Sequence, residues 1–318
     1  MRQKSESLFS VICVVLASVF WGTTGIAASF TSKVSPLATG AFAMGLGGVL
    51  LVINARHFLA KDFHKLTSKL PYLVIGGLSV AIYPLAFYTA MKWSGVAIGN
   101  VISIASAPLF TVVLERLISK KQISLQWLIS FVFGALGVTL LTLGKQHSPQ
   151  VSCIQANCIQ LNIDTSLQYW GIILGLVAGL SYATYAWAGK QMIDSGINSN
   201  SSMASMFGFS ALLLLPSLFF TGDNLFATST NSAVALYMAI VPMFLGYLLF
   251  GDGLRHIEAS KITLITLLEP VVATLLAVVI VGEVFDIKGW IGMVLIVICL
   301  LFQIIKIPTK AIQHKVEE

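Results

Sequence analysis

The chain has 318 residues, of which 57% are apolar and only 10% are charged. Soluble domains are about 45–50% apolar and about 25% charged, so this composition, with a mean hydropathy of +0.89, excludes a water-soluble protein. The formal net charge of +6 would suit a nucleic-acid partner, but the basic residues lie in short connectors between apolar runs. That placement indicates orientation in a lipid bilayer instead, so no nucleic-acid partner is predicted.

Ten apolar runs are long enough to cross a membrane, since a helix needs about 20 residues to span about 30 Å of hydrocarbon. The first run has no charge within it and exceeds the roughly 7–15 residues of a signal-peptide core, so we predict that it is retained. The predicted spans are 8–30, 36–55, 70–92, 95–117, 125–144, 168–190, 201–221, 232–253, 259–281 and 287–305. The expected fold is an all-α membrane protein with ten transmembrane helices.

The basic residues predict how these spans are oriented. With the N-terminus in the cytoplasm, fifteen Lys and Arg residues fall in cytoplasmic segments and four in outer segments. Cytoplasmic loops normally carry the excess of positive charge. We therefore predict a multi-pass protein of the cytoplasmic (inner) membrane with both termini in the cytoplasm.

Cys153 and Cys158 lie in the longest outer loop, 145–167. If that loop faces an oxidising compartment the pair can form a local disulfide, and otherwise the two thiols stay free. His147 is the one histidine nearby, too few ligands for zinc, so we expect no metal site.

The sequence contains an internal similarity. Trp21 of the first span aligns with Tyr182 of the sixth at a shift of 161, and Pro108 of the fourth aligns with Pro270 of the ninth at a shift of 162. The alternative is chance similarity between apolar sequences. A duplicated unit of five helices would insert in opposite orientations, and inverted repeats of this kind are typical of secondary transporters.

The duplication divides the chain into four segments. They are a first five-helix repeat at 1–144, an external loop at 145–167, a second five-helix repeat at 168–306 and a cytoplasmic tail at 307–318.

Pro108 and Pro270 both fall near the middle of a predicted span, where a proline frees a carbonyl group at bilayer depth. We therefore predict helix breaks at both, next to a central pathway; ordinary packing kinks are the alternative.

Glu269 is the acidic residue nearest a span centre. It is predicted to couple protons or to bind a cationic solute group, unless it only holds the kink by hydrogen bonding.

Aromatic side chains inside the spans suggest a solute pocket. Trp21, Tyr83, Tyr182 and Tyr185 lie well within their spans, and their polar tips need partners. Together with Asn100 and Glu269 they are predicted to line a pocket for an amphipathic solute.

Several short motifs make the chain resemble the drug/metabolite transporter superfamily, specifically its EamA-like ten-helix members. They are Phe20-Trp21-Gly22, Ser35-Pro36-Leu37, Leu180-Ser181-Tyr182-Ala183, Leu268-Glu269-Pro270, Gly282-Glu283 and Gly289-Trp290-Ile291-Gly292. The resemblance implies two inverted five-helix repeats around a central cavity. It also implies transport, often outward, of amino acids, nucleobases, other metabolites or amphipathic compounds. Met44 stands where members commonly have an arginine, and Lys120-Lys121 stands where the first half would carry a Gly-Glu pair.

The function expected from these observations is secondary transport of a small amphipathic metabolite, with amino acids favoured, and with protons as a candidate coupling ion. Uptake of a nucleobase, a nucleoside-like solute or a cationic amine is the alternative. The chain lacks the nucleotide-binding Gly-x4-Gly-Lys-Ser/Thr sequence, so ATP is not expected to drive it. No cofactor is expected, and a monomer is compatible with the sequence.

Two other classes of protein fit the sequence less well. An intramembrane enzyme would need a buried catalytic group, but the five histidines lie in loops, tails or at span ends: His57, His64, His147, His256 and His314. A receptor or scaffold would need more extramembrane surface than connectors of about 25 residues provide.

Overall fold

The computed structural model describes residues 2–145 and 165–304. Cys153, Cys158, nearly all of the predicted external loop and the predicted tail lie outside these residues. The described part is helical, and its isolated antiparallel bridge, between Lys145 and Phe285, does not extend into a strand.

The first half contains six helices. They are α1 (Arg2–Gly22), α2 (Thr24–Ser29), α3 (Pro36–Ser68), α4 (Leu70–Ser94), α5 (Val96–Leu117) and α6 (Leu125–Leu143). Proline begins α3, where its missing N–H group costs nothing. Gly95 separates α4 from α5 with a φ of 90°, a conformation that other residues rarely adopt. The Ser124 side chain caps α6 by accepting a hydrogen bond from the Trp127 N–H.

The second half contains seven α-helices and two π-helical turns. The α-helices are α7 (Thr165–Asp194), α8 (Ser199–Thr221), α9 (Ser229–Met238), α10 (Gly246–His256), α11 (Ala259–Ile265), α12 (Leu268–Leu276) and α13 (Ile287–Ile304). The π-helical turns are Ala239–Leu245, between α9 and α10, and Ala277–Val281, after α12. Such turns are rare and often lie at functional sites.

Across the described residues, nine helical segments are long and apolar enough to cross a membrane, and α13 is a shorter tenth. These ten segments correspond in order to the ten predicted spans. The largest difference is the length of α3, which was expected to end near residue 55 but continues to Ser68. Its polar extension remains helical because Asp62 is buried and accepts hydrogen bonds from the Asn198 N–H and the Ser201 hydroxyl.

The two symmetry-related prolines have different effects on their helices. Helix α5 runs without a break through Pro108, contrary to the break expected there. The span that contains Pro270 is interrupted at Thr266 and Leu267, and Pro270 lies in the first turn of α12. A proline in the first turn of a helix loses no hydrogen bond, whereas Pro108 is accommodated inside an intact helix.

Helix packing relates the two halves as inverted copies. Helix α1 packs on α10 as α4 packs on α7, while α3 packs on α8 and α6 on α13. The repeat extends to single hydrogen bonds. The Lys121 N–H donates to the Glu115 carbonyl, and 162 residues later the Glu283 N–H donates to the Ala277 carbonyl. Each bond joins a residue just after a helix to a carbonyl six residues earlier, so the two halves end these helices in the same way.

Helices α6 and α13 meet through reciprocal contacts. Gly134 packs against Cys299, and Gly137 packs against Ile296. At the shift of 162, Gly134 corresponds to Ile296 and Gly137 to Cys299, so each contact is the image of the other. The helices approach closely enough that a Cβ atom on Gly292 would lie 2.4 Å from the Leu141 nitrogen. Such close approach of small residues is typical of helix association in membranes.

Candidate functional site

A cavity lies between the two halves, near the middle of the bundle. It contains about 590 Å³ of space free of protein atoms, counted together with the open solvent at its mouth. Helices from both halves provide its walls. The lining residues are Trp21, Thr24, Gly40, Met44, Tyr83, Pro84, Phe87, Tyr88, Tyr182, Tyr185, Met243, Tyr247 and Glu269.

Trp21 joins the two halves at one side of the cavity. It lies at the end of α1, and its Nε1–H donates a 2.8 Å hydrogen bond to the Pro242 carbonyl in the first π-helical turn. A Cβ atom on Gly246 would lie 2.8 Å from Trp21 Nε1, so this approach requires glycine. The Trp21 ring packs 5.0 Å from that of Tyr247, between ring centroids. The indole is thereby fixed in place.

Two tyrosines of α7 form the inner part of the cavity. The Tyr182 and Tyr185 rings stack with centroids 5.1 Å apart. The Tyr182 hydroxyl donates to the hydroxyl of Thr266, which lies at the break between α11 and α12, at 2.8 Å. The Tyr185 and Tyr247 hydroxyls are 3.0 Å apart and share a hydrogen bond. These bonds satisfy polar groups that burial would otherwise destabilise.

Glu269 contributes the only charge among the lining residues. It lies in the first turn of α12, directly after the helix break, and is partly exposed to the cavity. Within residues 2–145 and 165–304, its carboxylate has no ion-pair partner and accepts no hydrogen bond. A carboxylate at membrane depth normally pairs or faces water, so this group is available to a solute.

Buried side chains separate the cavity from the end of the bundle that carries the N-terminus. Six of its residues are partly exposed: Thr24, Tyr83, Phe87, Tyr88, Met243 and Glu269. Of these, Thr24, Tyr88 and Met243 lie toward the end where α1 turns into α2. Toward the end that carries the N-terminus, the space below the cavity is filled by fully buried side chains such as Phe207, Phe250 and Leu254. The structure is therefore closed at the N-terminal end.

The structure brings together five of the six predicted pocket residues: Trp21, Tyr83, Tyr182, Tyr185 and Glu269. Asn100 is not among the residues that line the cavity. The prediction omitted Tyr88, Met243 and Tyr247. Met243 lies in the π-helical turn Ala239–Leu245, and Tyr247 follows it. The turn rotates the following residues about the helix axis, which changes the side of the helix that faces the cavity. No single-sequence pattern reveals such a turn.

Among the described residues, no group of three or more His, Cys, Asp or Glu side chains could hold a metal ion. The cavity residues themselves offer one carboxylate, several phenols and two thioethers, a set suited to noncovalent binding of an organic solute.

Comparisons with known proteins agree with this architecture. The model of the EamA-like transporter family matches the chain twice, over residues 8–143 and 169–305. The two matches begin 161 residues apart and end 162 residues apart, the shifts found within the sequence. A solved crystal structure aligns with a TM-score of 0.71 at 16% identity, covering 92% of this chain and 96% of its own, which shows the shared fold.

Similar sequences come from several organisms. The uncharacterized transporter YwfM of Bacillus subtilis is 30% identical over 302 residues, covering 95% of this chain and 94% of the relative. The uncharacterized inner membrane transporter YicL of Salmonella typhimurium is 24% identical, covering 89% and 91%. Protein PecM of Dickeya dadantii is 24% identical, covering 82% and 80%. The two family matches take in most of the chain, and this protein is therefore a membrane transporter that belongs to the EamA-like transporter family.

Proposed function

We propose that the protein is a secondary active transporter that moves a small amphipathic metabolite by alternating access, with the cavity as the solute site. The observation that carries this proposal is the cavity's position between two inverted halves. When the halves exchange conformations, a site on their interface opens to one side of the membrane and then to the other.

The closed N-terminal end is one of the two states that this mechanism needs. Polar contacts between helices reinforce it. The buried Glu115 carboxylate accepts a 3.1 Å hydrogen bond from the Ala259 N–H and lies 3.5 Å from Lys121 Nζ. Lys190 Nζ donates to the Leu254 carbonyl at 2.8 Å. Of these contacts, the one from Ala259 to Glu115 joins the two halves, so we assign it to the closing device of that end.

The excess of basic residues at the N-terminal end supports a cytoplasmic location for both termini. The similarity to YicL, named as an inner membrane transporter, supports the cytoplasmic (inner) membrane. In that orientation the cavity faces outward. Among the solutes that the family resemblance implies, we favour amino acids or similar metabolites, with export as the direction and a monomer as the working unit. Uptake of a nucleobase, a nucleoside-like solute or a cationic amine remains the alternative.

Glu269 supports coupling to protons. It is the only carboxyl group among the lining residues, and the other titratable groups that line the cavity are tyrosine hydroxyls: Tyr83, Tyr88, Tyr182, Tyr185 and Tyr247. A proton that enters from either side can therefore be held at one carboxylate. In this proposal the pH gradient provides the free energy, through protonation and release at Glu269.

The test is solute flux in proteoliposomes that contain the purified full-length protein. Labelled amino acids, nucleobases and cationic amines are offered with and without a pH gradient. We expect gradient-dependent flux of at least one class, and expect Glu269→Gln to remove the dependence on the gradient. Flux indifferent to both the gradient and Glu269→Gln would refute proton coupling.

A second variant tests the cavity itself. Met44→Trp places a larger side chain among the lining residues and should abolish flux. Leu212→Trp is the matched control, because Leu212 is 73% exposed on the outer surface of α8. Full flux in Met44→Trp protein would show that the solute crosses elsewhere.

A further inference from the structure

We propose that the cavity recognises a positively charged amine whose remaining part is apolar or aromatic and carries no carboxylate. This inference rests on the proposed transport function, because it names the solute of the same cavity. It departs from the amino acids that we favour as solutes above, and three features of the cavity carry it.

The first feature is charge. Glu269 is the only acidic residue among the thirteen described residues that line the cavity, and none of the thirteen is a Lys, Arg or His. The carboxylate is also unpartnered among the described residues. An unpaired carboxylate in a low-dielectric site attracts a cation strongly and repels an anion by a similar amount. An ammonium group provides both the missing charge and the missing hydrogen-bond donors.

The second feature is the shortage of free donors. Trp21 Nε1–H donates to Pro242, the Thr24 hydroxyl donates to the Trp21 carbonyl, and the Tyr182 hydroxyl donates to Thr266. The Tyr185 and Tyr247 hydroxyls bond to each other. Among the described residues, the Tyr83 and Tyr88 hydroxyls of the cavity keep an O–H group without an acceptor.

Two phenol hydroxyls would replace only part of the hydration that a solute carboxylate loses, and no lining residue supplies a positive charge to it. Burial of an anion without such partners is strongly unfavourable. The ammonium group of an amino acid suits this cavity, but its carboxylate does not.

The third feature is the aromatic wall. Seven of the thirteen lining residues are aromatic, and they come from helices of both halves. Tyr83 lies at its centre: its ring stacks on Phe87 with centroids 5.5 Å apart and meets Tyr182 edge-on at 6.0 Å. A cation within about 6 Å of an aromatic face is stabilised by the ring quadrupole, and the same rings contact the apolar part of an amine.

Three probes that share a phenyl ring test the inference: phenylethylamine, a cation; phenylalanine, which adds a carboxylate; and phenylpropanoate, an anion. Their affinities are measured by isothermal titration calorimetry on the purified full-length protein in nanodiscs. We expect phenylethylamine to bind about tenfold or more tightly than phenylalanine, and phenylpropanoate not to bind. This comparison needs no variant, so it does not depend on any substitution folding correctly.

Variants at Glu269 then identify the charge that is responsible. Glu269→Gln should weaken phenylethylamine binding about tenfold or more, and Glu269→Asp should restore most of it. Glu258→Gln is the matched control, since Glu258 pairs with Lys261 outside the cavity, and it should leave the affinity unchanged. Three results would each overturn the inference: equal affinity for phenylalanine and phenylethylamine, unchanged affinity in Glu269→Gln protein, or no binding of any probe.

Flux separates this inference from the proposed function. If phenylethylamine binds through Glu269 but no solute crosses proteoliposome membranes, the transport proposal fails and the amine site stands. If an amino acid or a neutral solute crosses independently of Glu269 and phenylethylamine does not bind, transport stands and the amine site is wrong.

Discussion

Trp21 and Pro242 hold the two halves together at the cavity through one hydrogen bond, from the indole N–H to the Pro242 carbonyl. The bond is buried, and it satisfies a carbonyl in a π-helical turn, where the backbone departs from the regular helical pattern.

Replacing Trp21 by Phe should therefore destabilise the protein. The substitution leaves the Pro242 carbonyl buried without a donor, which costs about 1–3 kcal/mol. We expect a lower unfolding temperature in detergent, measured by differential scanning fluorimetry. Trp170→Phe is the control, because Trp170 is 57% exposed, and it should unfold at the wild-type temperature. Equal unfolding temperatures for the two variants would contradict the role assigned to the bond.

Lys120 and Gly282 provide a second prediction, since they occupy the same place in the two halves. Both have a left-handed backbone, with φ of 54° at Lys120 and 76° at Gly282. A side chain in this conformation costs about 1–2 kcal/mol relative to glycine. Lys120→Gly should therefore raise the free energy of unfolding by about 1 kcal/mol, and Gly282→Ala should lower it by a similar amount.

Chemical denaturation in detergent measures both effects. No atom lies within 4 Å of a Cβ added at Gly282, so its substitution tests backbone strain alone. Destabilisation by Lys120→Gly would mean that the lysine side chain contributes more than the strain.

The Glu115 carboxylate should keep the N-terminal end closed. Glu115→Ala leaves the buried Ala259 N–H without its acceptor, so the closed conformation is destabilised relative to one in which this end is open. In right-side-out and inverted vesicles, a cysteine introduced at the buried Ser260 should react faster with a membrane-impermeant maleimide in Glu115→Ala protein.

The same labelling experiment carries its own control. Glu258→Ala removes an exposed ion pair worth at most about 1 kcal/mol and should not change the rate. If the rate is equally low in both variants, Glu115 does not hold this end closed.

The contact between α6 and α13 predicts sensitivity to a single methyl group. A Cβ atom on Gly292 would lie 2.4 Å from the Leu141 backbone nitrogen, so Gly292→Ala must push the helices apart. We expect destabilisation by roughly 1–3 kcal/mol and a lower yield of monodisperse protein on size-exclusion chromatography. Gly25→Ala is the control, because an added Cβ there meets no atom within 4 Å. Normal yield and stability of Gly292→Ala protein would refute this packing.

Much of the fold could be predicted from the sequence because its physical basis is simple. Hydrophobic length determines where a helix crosses, and charge asymmetry predicts its orientation. The alignment of Trp21 with Tyr182, at a shift of 161 residues, indicated the duplication. Helix α3 exceeded its predicted end, since Asp62 makes tertiary contacts that hydropathy does not encode.

The site was less predictable than the fold. Trp21, Tyr83, Tyr182, Tyr185 and Glu269 share one cavity because deep polar groups in spans converge where water or a solute can reach them. Their role in binding stays a prediction. Tyr88, Met243 and Tyr247 were not assigned, since the rotation of a helix about its axis depends on its neighbours.

The two aligned prolines show that similar positions in the two halves need not have the same local structure. Pro108 and Pro270 align, yet only the second follows a helix break, where the Tyr182 hydroxyl donates to Thr266.

The reciprocal packing of Gly134 on Cys299 and Gly137 on Ile296 is the arrangement that two identical subunits would adopt if they met in opposite orientations. In an assembly of identical subunits every substitution appears twice, so a carboxylate in the cavity would face its own copy. Covalent fusion of the two units removes that constraint. This chain has Glu269 in one half and Ala107 at the equivalent position of the other. Fusion thus allowed a single negative charge to evolve at the centre of an otherwise two-fold framework.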